Sequence, residues 1–183
     1  MHAMHPLHPM DPMDGAFTLA WQHAVGHVLP EDLPMAAARL LADGLDSPAL
    51  RDLAGRHRHE DTRELDALLH RSLAELGVQA PDHDTAERCL LHHLAALLVA
   101  GDLTPEEAAV RLWHGMAETA TEAEARFLEI AVTEDYYVHD PEYHRPEEVR
   151  SWRTRLRTAA VELVAAEDNP PAPARHSARG RAH

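Results

Sequence analysis

Leu97-Leu98-Val99-Ala100-Gly101-Asp102-Leu103-Thr104-Pro105-Glu106-Glu107 states its own local structure. An apolar run stops at a glycine, which can take the left-handed conformation that closes a helix. After a two-residue loop, Thr104 offers a hydroxyl to the next helix's free N–H groups. Pro105 brings the helical φ to a position that needs no N–H donor, and Glu107 completes a capping box with Thr104. The reading is a helix ended by Gly101 and another begun at Pro105.

Outward from this junction the same grammar recurs. On the N-terminal side, Leu90, Leu94, Leu97 and Leu98 mark the helix that Gly101 ends, and Leu65, Leu68, Leu69 and Leu76 mark one ended by Gly77. Ser47-Pro48 opens a short helix closed by Gly55. Leu33, Ala37, Leu40 and Leu41 form a stripe closed by Gly44, and Phe17, Trp21, Val25 and Val28 form the first stripe, after the N-cap candidate Asp14. On the C-terminal side, Ala108, Ala109, Leu112, Trp113 and Met116 share a face. Thr121 caps a helix carrying Phe127, Ile130 and Ala131. Pro146 opens the last helix, with Val149, Trp152, Leu156, Leu163 and Val164 as its inward residues. Strand signals are nearly absent: Ile130 is the one isoleucine and no run alternates. The expectation is an all-α fold, a compact irregular bundle of about seven or eight short helices around the three tryptophans. Residues 40–48 echo residues 97–105 in frame, through duplication or through shared helix–loop–helix grammar.

The chain has 183 residues and suits one domain with loose ends. Residues 1–13, MHAMHPLHPMDPM, read as a disordered His/Met/Pro-rich extension. Residues 14–167 read as a single helical domain, and 168–183 as a disordered Pro/Arg-rich tail. No apolar stretch reaches a membrane span, no basic-then-apolar leader is present, and Cys89 is the only cysteine. Those features predict a cytoplasmic protein without membrane or disulfide. The net charge is −14, with 17 basic residues, all arginine, against 31 acids. Such a field argues against nucleic acid and anionic lipid. A regulator would need Arg150, Arg153, Arg155 and Arg157 gathered on one face.

Several reaction classes lack their residues. There is no glycine-rich phosphate loop, no nucleophile elbow around Ser47, Ser72, Ser151 or Ser177, no CxxC pair, and no lysine for Schiff-base chemistry. No catalytic residue is assigned, and no cofactor is expected. A divalent metal is the alternative. Its candidates are Glu134, His139 and His144, with Cys89 and His93 a second pair one helical turn apart. His92 shares the Cys89 surface at i,i+3, while the leucines beside Cys89 favour plain packing. His23 and His27 also share a face, but Ala24 stands where a zincin motif needs glutamate. His2, His5 and His8 could take a soft metal only after ordering the tail.

The most loaded stretch, Glu118 to Glu148, sets ten acids against Arg126 and Arg145. Inside it all three tyrosines of the protein fall between 134 and 144. Tyrosine joins an apolar ring to a polar tip, and surrounding carboxylates steer a basic partner. Glu134, Asp135, Tyr136, Tyr137, His139, Asp140, Glu142, Tyr143 and His144 are therefore the expected protein-binding surface, for a partner that is itself basic. Self-association into a homo-oligomer stays open.

From Cys89 to Ala166, and most clearly from Val99 through Ala108 to Leu112-Trp113, the chain resembles small helical bacterial proteins of the actinobacterial type that lack established functions. Some of them are proposed immunity or toxin-neighbour proteins. The resemblance implies a helical fold and an immunity-like or accessory role, and it transfers no catalytic residue.

Overall fold

The computed structural model describes residues 12–112, 119–133 and 145–166. The described residues are all-α. They form α1 (Pro12–Ala24), a 3-10 turn (Pro30–Asp32), α2 (Leu33–Ala42), α3 (Pro48–Ala54), α4 (Thr62–Leu76), α5 (His83–Ala100), α6 (Pro105–Leu112), α7 (Glu122–Val132) and α8 (Pro146–Ala165). The chain divides into two compact units near residue 83, the first carrying α1 to α4 and the second α5 to α8.

In the first unit α3 packs on both α2 and α4, and α1 lies against α4. Leu33, Ala37, Leu40, Leu50, Leu53, Leu65, Leu69 and Leu73 fill its centre, with Ala16, Leu19 and Ala20 entering from α1. The short α3 keeps its N-terminus through two partners. Ser47 Oγ accepts from the Leu50 amide at 3.2 Å, as its N-cap position predicts. The Ala49 amide donates to Glu75 Oε2 at 2.8 Å, a cap supplied by α4.

In the second unit α7 and α8 pack together, and α6 rests on both. Leu91, Leu94, Ala95 and Leu98 from α5 join Leu112, Phe127, Ala131, Trp152, Leu156, Ala160 and Leu163 in one core. Phe127 and Trp152 are almost fully buried. Burial of each such ring contributes about 2–3 kcal/mol. The Trp152 indole N–H donates to the Ile130 carbonyl at 3.1 Å, so burying the ring orphans no polar atom.

Three details differ from the sequence reading. α1 begins at Pro12 and stops at Ala24, so Val25 and Val28 lie beyond it; Ala16, Leu19 and Ala20 bury its inner face with Trp21, while Phe17 is half-buried. Val164 points outward, 42% exposed, because Ala159, Ala160 and Leu163 turn the inner face of α8 away from it. Of the three tryptophans, Trp21 belongs to the first unit and Trp152 to the core of the second, and Trp113 lies outside the described residues.

Candidate functional site

The expected partner surface, Glu134, Asp135, Tyr136, Tyr137, His139, Asp140, Glu142, Tyr143 and His144, lies outside the described residues, as do His2, His5 and His8. What is described are its two flanks. α7 leads in and ends at Val132–Thr133, where the Thr133 amide donates to the Glu129 carbonyl at 2.9 Å. α8 leads out from Pro146, with the Glu148 amide donating to the Arg145 carbonyl at 2.9 Å. The bond from Trp152 to Ile130 and the packing of Phe127 and Ala131 in the same core as Trp152 and Leu156 join these flanks.

Of the other candidates, Cys89 and His93 sit on α5. Cys89 is buried, and His93 is half-buried. Burial pushes the Cys89 thiol up to about 11; Arg88 pulls the other way and the Glu124 carboxylate adds to the rise. A thiol so placed is protonated near neutrality, which disfavours both nucleophilic attack and thiolate ligation. Among the described residues no group of three or more His, Cys, Asp or Glu side chains is arranged to hold a metal ion. His23, at the end of α1, is half-buried. Its ring bridges the Val28 carbonyl (3.0 Å) and Asp66 Oδ1 (3.0 Å), tying the end of α1 to α4.

The most concentrated polar chemistry among the described residues is a cluster around Glu124. This carboxylate is completely buried. Arg88 Nε lies 3.0 Å from Oε1 and 3.1 Å from Oε2, and the Arg88 Nη2 reaches Oε1 at 2.9 Å. His92 Nε2 donates to Oε1 at 2.8 Å, and the Ala120 and Thr121 amides donate to Oε2 at 2.7 and 3.1 Å. The Thr121 hydroxyl accepts the Glu124 amide at 3.2 Å, so Glu124 closes a capping box at the start of α7 while anchoring that start to α5. Burial alone would raise the Glu124 pKa. The bonds from Arg88, His92 and the Ala120 amide outweigh it and hold the carboxyl down at about 2. A carboxylate so saturated has no free lone pair for a substrate and no proton to exchange near neutrality; its chemistry is that of a fastener.

Part of this cluster was readable beforehand. Thr121-x-x-Glu124 spells a capping box, and Arg88 and His92, four residues apart, share a helical face. Nothing in the spacing says that this face meets the first turn of α7, so Arg88 and Glu124 escaped the sequence reading.

Among the described residues no helix is long and apolar enough to cross a membrane. No protein-family model matches the chain, and no curated protein or solved structure is significantly similar to it.

Proposed function

We propose that this chain is a cytosolic, non-enzymatic protein-binding protein of immunity-like or accessory kind, which presents the acidic stretch 134–144 to a basic protein partner. One observation carries the reading: the stretch that holds every tyrosine of the protein leaves and rejoins the fold on helices that pack against each other and are bonded through Trp152 and Ile130. A binding segment with both ends anchored loses less freedom on association than a free tail does. Tyr136, Tyr137 and Tyr143 act as anchors, and Glu134, Asp135, Asp140 and Glu142 pair with arginine or lysine around them. The result is occlusion of the partner's basic surface. Electrostatic steering makes association fast at low salt and slower as salt rises.

A pull-down comparing wild type with the Tyr136→Ala/Tyr143→Ala double variant tests this. Basic proteins that wild type retains at low salt and releases at high salt should be lost from the variant. An unchanged partner set would remove 134–144 from the interface.

A further inference from the structure

One face of α8 is left out of the packing described above. Arg150, Arg153, Arg157, Val161 and Val164 follow one another at spacings of three or four residues, which places them on one stripe of the helix. All five are exposed, Val161 by 53%. The opposite side of α8 carries Trp152, Leu156, Ala159 and Leu163 into the core. Arg153 is engaged by Glu106 of α6 at 2.6 Å, while Arg150 and Arg157 make no ion pair among the described residues. Arg155 falls on a different side, so the four arginines do not form one continuous face. No acid of α8 lies on the stripe: Glu147, Glu148 and Glu162 are turned away by about 80° or more, and Glu162 pairs with Arg126 at 3.2 Å. A basic stripe ending in two valines is thus displayed by a chain of net charge −14.

We propose that this stripe is the docking surface for the 134–144 stretch of a second copy of the chain, two copies pairing by reciprocal exchange. The inference rests on the binding role given to that stretch above and names its partner. The complementarity is one of type and order of magnitude: four carboxylates face Arg150, Arg157 and the unengaged side of Arg153, and tyrosine rings find Val161 and Val164 and the guanidinium planes. Nucleic acid would match the arginines but leave Val161 and Val164 without an apolar partner, whereas the tyrosines of the 134–144 stretch cover both. Each copy carries both halves of the contact, so a two-fold axis satisfies both and assembly stops at the dimer.

Light scattering during gel filtration of the full chain tests the pairing. The expected result is a dimer at low salt that dissociates as the Debye length falls to about 3–5 Å near molar ionic strength. Arg150→Glu/Arg157→Glu and Asp140→Arg/Glu142→Arg should each weaken the dimer at least tenfold while circular dichroism stays helical. Mixing the two charge-reversed chains should restore a dimer, because the reversed residues then meet with opposite signs at one contact and the other contact is wild type. A wild-type chain that is monomeric at low salt overturns the pairing, as does a dimer indifferent to either reversal or not restored by mixing. A monomer that still captures basic proteins through its tyrosines would refute self-pairing and leave the binding role standing.

Discussion

At Glu124 one side chain does two jobs, capping α7 and bonding its first turn to Arg88 and His92 of α5. Its carboxyl is held at about 2, against an ordinary value of 4.5. Since the folded form binds its proton less readily than the unfolded form, the stabilisation is present above the ordinary value. It drains away as pH falls from about 4.5 towards about 2, and amounts to about 3 kcal/mol. Glu124→Gln should therefore cost about 3 kcal/mol near neutrality, by taking the carboxylate from the partly buried Arg88 and the buried His92. It should also flatten the acid limb of stability. Urea unfolding at pH 7 and pH 3 checks both; equal acid dependence in wild type and variant would show that Glu124 is not the group responsible. In the sequence this residue is merely the fourth in Thr121-x-x-Glu124. Its α5 partners lie more than thirty residues away, a distance across which spacing carries no information about contact.

Among the elements, the helix–glycine–cap–proline frames at 40–48 and 97–105 show how far local grammar extends. Both junctions form as read. The residue after each glycine donates back to the fifth residue before it, Leu45 to Leu40 at 3.0 Å and Asp102 to Leu97 at 2.9 Å, around Gly44 and Gly101 at φ +98° and +84°. Burial then departs from the frame. Leu40 is buried but its counterpart Leu97 is partly exposed. α3 buries Ala49, Leu50 and Leu53, whereas α6 buries Pro105, Ala108, Ala109 and Leu112, at different offsets from the proline. The echo is thus one of boundaries and not of packing. A methyl added at Gly101 would meet nothing within 4 Å, so its cost is conformational alone. Gly101→Ala should destabilise by about 1–2 kcal/mol without altering the core. Calorimetry checks the magnitude, and an unchanged midpoint would show that the left-handed position is not strained.

For the whole molecule, charge is the property that composition settles. The chain carries −14 with its 16 histidines neutral, and protonating those imidazoles alone takes the formal charge past zero. Colloidal repulsion therefore collapses on mild acidification, and turbidity at low salt should peak near the sequence pI of about 5.5 and clear on both sides. A flat turbidity profile between pH 4 and 8 would contradict this. By itself the sequence determined the helical class and most helix ends, along with the acidic charge and the grouping of all tyrosines between 134 and 144. Caps, glycine stops and apolar periods act over about four residues and are written where they act. Tertiary structure alone decided that Glu75 would cap a foreign helix, that Glu124 would be buried between arginine and histidine, and that Val164 would face out while Leu163 faced in. Those outcomes depend on which faces meet, and the meeting of faces is set by packing between elements far apart in the chain.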